Sequence, residues 1–281
     1  MTVLVTGGAG FIGTNLIKRL LSDGHEVVSI DNYTTGFESN HQKGARYVSE
    51  DVKNVKFFNV YGKFDIVYHL AAIARIQPSF KHPVEYFETN VNGTLNVVEF
   101  CSKNNIPLVY AGSSSHHGGK FMNPYTFTKD IGEEIIKLYE EHYNLKCSTA
   151  RFYNVYGPHQ LVTGEYSTVI GKWEEQFNNN QPITIYGKGN KRRDFTHVND
   201  IVDGLIKIME KMSWGYTFEF GRGESYSLNE VADIFGGERI YLDDKPGETK
   251  DIQCENFISR LILDWYPKIN LRDYIKTKKG L

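Results

Sequence analysis

Thr6-Gly7-Gly8-Ala9-Gly10-Phe11-Ile12-Gly13 joins a β-branched run, Thr2 to Thr6, to a segment whose apolar residues Phe11, Ile12, Leu16, Ile17, Leu20 and Leu21 recur at helical spacing. The three spaced glycines have separate tasks. Gly7 allows a tight turn, Gly10 lets the backbone approach a pyrophosphate, and Gly13 lets the helix pack closely. The helix beginning there offers unpaired N–H groups and a positive dipole end to phosphate oxygens. A glycine pattern alone is weak evidence, and its context strengthens it. Asp31 closes the next strand-like run, 18 residues after Gly13. A carboxylate there can accept hydrogen bonds from the adenosine ribose hydroxyls and repel a 2′-phosphate, which favours NAD over NADP.

Outward from this turn, strand-like and helical patterns alternate. After Phe11 to Ser22 come Glu26 to Ile30, Asp65 to Leu70, a helix from about Pro83 to Lys103, Pro107 to Ala111, a helix from Pro124 to Asn144, and Lys146 to Arg151. Such alternation predicts a parallel sheet with helices on both faces. Asn123 before Pro124 is an N-cap followed by proline at the first helical position. Beyond about Asn154 the pattern turns irregular, with isolated strands such as Ile183 to Tyr186 and short helices near Asn199 to Met212, Ser227 to Phe235 and Leu271 to Ile275. The expected fold is therefore α/β: a Rossmann-type, doubly wound parallel sheet with a smaller C-terminal α/β lobe. Residues 1–154 form the dinucleotide-binding domain, with a later contribution from about 194–212. Residues 155–281 form mainly the second lobe, and a ligand belongs in the cleft between them.

The 281 residues carry a formal net charge of -2 and are 40% hydrophobic. The charge argues against nucleic-acid binding, which needs a basic face. No apolar run approaches the roughly 18 residues of a membrane span, and the opening residues lack the tripartite pattern of a signal peptide. Cys101, Cys147 and Cys254 are widely spaced, indicating neither a disulfide framework nor a zinc site, so a reducing cytoplasm is expected.

Tyr125 and Lys129 lie four apart and share a helix face. The spacing alone is uninformative, since Tyr241 with Lys245 and Tyr274 with Lys278 match it too. Position separates the first pair: it opens a helix that follows a strand ending in Ala111-Gly112-Ser113, and strand ends are where open α/β sheets bind ligands. A phenol of ordinary pKa about 10 is a poor base at neutral pH. An ammonium at about 4 Å contributes about 4 kcal/mol at an effective dielectric near 20, or about three pKa units. Ser113 could then hold a substrate oxygen beside the phenol.

These residues resemble the extended short-chain dehydrogenase/reductase family, specifically its NAD-dependent nucleotide-sugar epimerases and dehydratases of the UDP-glucose 4-epimerase kind. Further motifs carry the likeness along nearly the whole chain: Asp51-Val52, His69-Leu70-Ala71-Ala72, Asn90-Val91-Asn92-Gly93-Thr94, Arg151 to Pro158, Ile185 to Gly189, Arg193-Asp194-Phe195, His197 to Asp200 and Pro246-Gly247-Glu248. The resemblance implies Ser113, Tyr125 and Lys129 as catalytic residues. For NAD it implies Gly7, Gly10, Phe11, Ile12, Gly13, Asp31, Asn32, Asp51, Val52, Leu70, Ala71, Ala72 and Asn90, together with Tyr125 and Lys129. For a nucleotide-diphosphate sugar, most readily a UDP-hexose, it implies Ser113, Ser114, His116, Asn154, Arg193 and Lys245. Asn154 and Arg193 suit a diphosphate. Lys245 supplies a point charge where the family often has a bidentate arginine.

Two departures refine the expectation. Ser114 and Ser115 stand where the family's 4,6-dehydratases carry an acidic pair, so epimerisation at carbon 4 through a transient 4-keto sugar is favoured. A dehydratase, decarboxylase or reductase would need an acid from elsewhere, such as Glu88 or a loop histidine, and a noncatalytic NAD sensor has no use for the intact Ser113, Tyr125 and Lys129. Only 11 residues separate Ser113 from Tyr125, and His116-His117-Gly118-Gly119 fills the shortened loop. Adjacent histidines with no third ligand do not make a metal site, whereas a sugar contact by His116 is plausible. Family members commonly pair through the two long helices, so a homodimer through the helices near 83–103 and 124–144 is expected.

Overall fold

The computed structural model describes residues 1–54, 62–248 and 251–279. Seven strands form one parallel sheet: β1 (Thr2–Thr6), β2 (Glu26–Asp31), β3 (Arg46–Ser49), β4 (Ile66–His69), β5 (Leu108–Ser113), β6 (Cys147–Phe152) and β7 (Thr217–Phe220). Their order is β7-β6-β5-β4-β1-β2-β3, so the winding reverses between β1 and β4. That reversal opens a crevice at the carboxyl ends of the strands, where such sheets take ligands.

Parallel strands covered on both faces are apolar nearly throughout, and each face has its own core. On one, Leu16, Ile17 and Leu20 of α1 (Phe11–Ser22) pack with Ile201, Leu205 and Ile208 of a later helix, Val198–Glu210. On the other, Val97, Val98 and Cys101 of α2 (Thr94–Asn104) meet Ile136 and Tyr139 of α3 (Pro124–Tyr143). Asn123 caps α3 by accepting a hydrogen bond from the Thr126 amide at 2.8 Å. A third core around Trp173, Ile185, Val231, Phe235 and Leu271 holds the second lobe.

Four features differ from the sequence expectation. The helix expected from Pro83 to Lys103 contains a π-type turn at Phe87–Gly93, a distortion that is common at functional sites. Strand β3 and the helices Val169–Asn178 and Phe257–Leu263 are additional. The chain also returns to the central sheet at β7, where Phe218 and Phe220 join the first core with Leu263 and Trp265 from still further along. Finally, Ile183–Tyr186 is one strand of a parallel pair with Arg239–Leu242.

Candidate active site

The crevice is a cavity of about 790 Å³ that runs from the glycine turn to the second lobe. Gly7 has φ +73°, and a Cβ there would lie 2.8 Å from the Ala71 nitrogen, so only glycine permits the turn and the neighbouring loop together. A Cβ on Gly13 would collide with the Gly7 carbonyl oxygen. Asp31 is buried at the end of β2 and accepts hydrogen bonds from the amides of Ala9 at 2.9 Å and Tyr33 at 2.8 Å. Burial pushes its pKa up while those amides oppose the shift. Asn32 donates to Asp51 at 3.0 Å, and Val52 packs beneath the cavity wall.

On the other side of β1, His69 fixes the end of β4. Its Nδ1 lies 2.7 Å from Thr6 Oγ1 and its Nε2 3.0 Å from Thr94 Oγ1. Burial, followed by the charge of Lys129, lowers its pKa to about 3, so the ring is neutral. Leu70, Ala71 and Ala72 continue from it along the cavity. Asn90, in the π turn, is fully buried and clamps that loop: its Oδ1 accepts from the Ile73 amide at 2.8 Å, and its Nδ2 donates to the Ile73 carbonyl at 3.0 Å and Thr128 Oγ1 at 3.2 Å. Asn90→Ala strands both the buried N–H and the buried C=O of Ile73, which costs about 2–4 kcal/mol. Urea unfolding of the variant is expected to show that loss together with weaker NAD retention.

Ser113 ends β5 and Tyr125 opens α3. The phenol donates to Ser113 Oγ at 3.2 Å, and Ser113 Oγ is 2.9 Å from Ser115 Oγ. Burial raises the Tyr125 pKa, the Ser113 hydrogen bond and the Arg75 charge lower it, and Glu133 raises it. Lys129 Nζ stands 4.3 Å from the centre of the Tyr110 ring, and the positive charge of Arg75, on the loop after β4, favours ionisation of the phenol. Both Tyr125 and Lys129 line the cavity.

Lys129 is buried, and burial lowers its pKa to about 8 although Glu133 favours its charge. Because the folded value lies below the ordinary one, the unfolded chain binds more protons between about pH 8 and 10.5. This residue's contribution therefore becomes more favourable as pH rises through that window. Lys129→Met is expected to raise the Tm of the cofactor-free protein below pH 8 and to flatten its pH dependence above, measured by thermal melts across pH 7–10.5.

Of the expected sugar-nucleotide contacts, Ser114, Asn154, Arg193 and Lys245 line the cavity. Asn154 donates to the Asp194 carbonyl at 2.9 Å, Arg193 lies 3.6 Å from Glu248, and Lys245 Nζ stands 3.6 Å from the centre of the Tyr186 ring. His116 lies elsewhere. Its Nδ1 pairs with Asp130 at 3.0 Å and the residue borders a separate hollow with Glu133 and Arg151, because the trimmed loop turns its ring away from the cavity. His117 takes another direction, to Glu219 at 3.0 Å, and the two rings are 83° apart. Among the described residues no three His, Cys, Asp or Glu side chains converge as metal ligands.

A family model described as "NAD dependent epimerase/dehydratase family" matches residues 3–220. The chain belongs to this family. A curated relative from Methanocaldococcus jannaschii, "Putative UDP-glucose 4-epimerase", is 32% identical and the match covers 98% of this chain and 96% of the relative. Among solved structures, UDP-glucose 4-epimerase of Thermotoga maritima with UDP-glucose superposes with a TM-score of 0.94 at 25% identity, covering 100% of this chain and 98% of that one. UDP-glucuronic acid 4-epimerase of Bacillus cereus, in complex with UDP-glucuronic acid and NAD, gives 0.90 at 26% identity, covering 100% and 98%. The family's cofactor is NAD, and this chain fits it: Gly7 and Gly13, where a Cβ would collide, the N-terminus of α1 and Asp31 all line the cavity.

Proposed function

We propose that this enzyme inverts carbon 4 of a UDP-linked sugar. The observation that carries the reading is the 3.2 Å contact between Tyr125 and Ser113 in the cavity that begins at the glycine turn. NAD+ bound there supplies a hydride acceptor that later returns the hydride. Ser113 holds the 4-hydroxyl, and Tyr125 takes its proton and later gives it back, each from a fixed strand end or helix start. Burial opposes ionisation of the phenol, so the Arg75 charge and that of the oxidised cofactor must offset it. Lys129 would hold the nicotinamide ribose. Inversion requires the ring to present its other face, which suits anchoring through the diphosphate by Asn154 and Arg193 while the sugar is held loosely.

Elimination needs an acid at the sugar. Glu88 is half exposed at the surface, 3.6 Å from Lys53, and His116 faces Asp130, so their positions support epimerisation over dehydration. The test is incubation of the NAD-loaded protein with UDP-, GDP-, dTDP- and CDP-sugars, with products read by NMR. A 4-epimer without net NADH is expected, and a 4-keto-6-deoxy sugar or no product from any of them would overturn the reading.

The outer faces of the two long helical segments carry Val84, Phe87, Leu95 and Leu138 exposed, with Phe121 beside them 84% exposed. Exposed apolar side chains on both helical segments support a homodimer through them. Light scattering is expected to give twice the 32.2 kDa of one chain, and a mass of one chain would reject the pairing. Among the described residues no helix is long and apolar enough to cross a membrane. All three cysteines are free and buried, which supports a cytoplasmic setting.

A further inference from the structure

Arg75 follows Leu70-Ala71-Ala72-Ile73-Ala74 on the loop after β4 and lines the cavity. Two contacts and a constrained backbone fix it. Its Nε donates to the Tyr166 carbonyl at 3.0 Å, its own carbonyl accepts from the Tyr86 hydroxyl at 2.8 Å, and its backbone is held at φ +109°. A non-glycine residue in that region is strained by about 1–3 kcal/mol and persists only where the surroundings enforce it. Tyr86 in turn packs edge-on against Tyr125, with ring centres 6.3 Å apart. Arg75 and Tyr125 thus line the same cavity, and the charge of each acts on the other.

Among the described residues the fork of this guanidinium has no hydrogen-bond or ion-pair partner. Among the described residues no carboxylate lies within ion-pair distance of it, and neither Nη1 nor Nη2 makes a hydrogen bond. Glu248, whose charge does reach it, is occupied by Arg193 at 3.6 Å and Gln77 at 3.4 Å. A half-buried cation without a counterion is costly, and the open side of this one faces the cavity. A bound ligand can supply the acceptor that Nη1 and Nη2 lack among the described residues. Under the reading above, on which this inference rests, the diphosphate is held by Asn154 and Arg193, and the sugar's O4 lies at Tyr125. The substituent on carbon 5 is the group next to O4 on the ring.

We infer that the acceptor at Arg75 is a carboxylate at that place, and that the substrate class is a nucleotide-diphosphate hexuronate. A planar carboxylate meets the two free Nη donors as a fork on a fork. A neutral hydroxymethyl group would leave the guanidinium desolvated and unpaired, and sites built for a polar partner discriminate strongly against ligands that lack it.

The test compares kcat/KM of the NAD-loaded enzyme for UDP-glucuronate and UDP-glucose, in wild type, Arg75→Gln and Arg75→Lys. Any effect of Arg75 on the phenol is common to both sugars and cancels in the ratio. Wild type is expected to prefer the uronate by about 10²-fold or more, Arg75→Gln to reduce that preference by about 10²-fold, and Arg75→Lys to fall between. An equal or inverse preference in wild type overturns the inference while leaving the epimerase reading standing, and this arm decides even if the variants fail to fold. A ratio unchanged in Arg75→Gln overturns it too. Inversion of neither sugar overturns the epimerase reading and this inference with it.

Discussion

Tyr125→Phe is expected to lower kcat for sugar inversion by about 10²–10⁴-fold, with the fold and NAD content unchanged. The phenol packs against Tyr86, and its hydroxyl donates to Ser113. Removing that oxygen takes away the only phenol that touches Ser113 among the described residues, while the ring keeps its packing. Glycine turn and Asp31 are untouched, so cofactor retention on gel filtration is a control for structure. The wild-type rate is expected to rise with pH as the phenol ionises, because burial holds its pKa above the ordinary value in the cofactor-free protein. A variant retaining activity within about threefold would remove Tyr125 from the role of base.

Arg151→Met is expected to cost about 3–5 kcal/mol of folding stability, the largest effect on stability among these substitutions. Arg151, in β6, joins the catalytic helix to the last strand of the sheet. Its Nε and Nη2 donate to Glu133 of α3 at 3.0 Å and 2.5 Å, and its Nη1 donates to Glu219 of β7 at 2.9 Å. Glu219 also accepts from Tyr153 at 2.8 Å and contacts His117 Nε2 at 3.0 Å. The two carboxylates are 12% and 15% exposed, so removing the guanidinium leaves two largely buried anions facing each other. The His117 pKa, already raised by its hydrogen bond to Glu219, would rise further once the opposing charge of Arg151 is gone. Urea unfolding measures the loss, and a change below about 1 kcal/mol would show that the triad contributes no net stability. A spread of α3 away from β6 would also lower activity, because the same helix carries Tyr125.

The sheet was legible because its strands are short β-branched runs separated by helices with clear starts, and because Gly7, Gly10, Gly13 and Asp31 hold one spacing that a single ligand explains. Strand β7 was not. Thr217-Phe218-Glu219-Phe220 is only four residues long with a charge in its middle, and the meaning of Glu219 depends on Arg151 and Tyr153, far away in sequence. The π turn escaped notice for a related reason. Its cause is the pairing of Asn90 with the peptide of Ile73, which periodicity cannot register. In the site, Ser113, Tyr125 and Lys129 could be named from position, but the charge acting on the phenol could not. Three residues of helix separate Tyr125 from Lys129, yet the ammonium rests over Tyr110, and a guanidinium from another loop also acts on the phenol. A charged residue closing the apolar run Leu70 to Ala74, just past a strand end, was the available signal for Arg75. For His116, sequence neighbourhood suggests the sugar, while its Nδ1 lies 3.0 Å from Asp130, a partner 14 residues away that spacing does not reveal.

Inversion by this route requires a hydride to leave and rejoin carbon 4 while a proton leaves and rejoins its oxygen, all within one cavity. Proton NMR of the NAD-loaded enzyme acting on UDP-glucuronate and UDP-glucose in ²H₂O tests it most directly. The account predicts inversion at carbon 4 with no solvent deuterium in the sugar ring. Deuterium entering the ring, or loss of the 6-hydroxyl from the hexose, would contradict it.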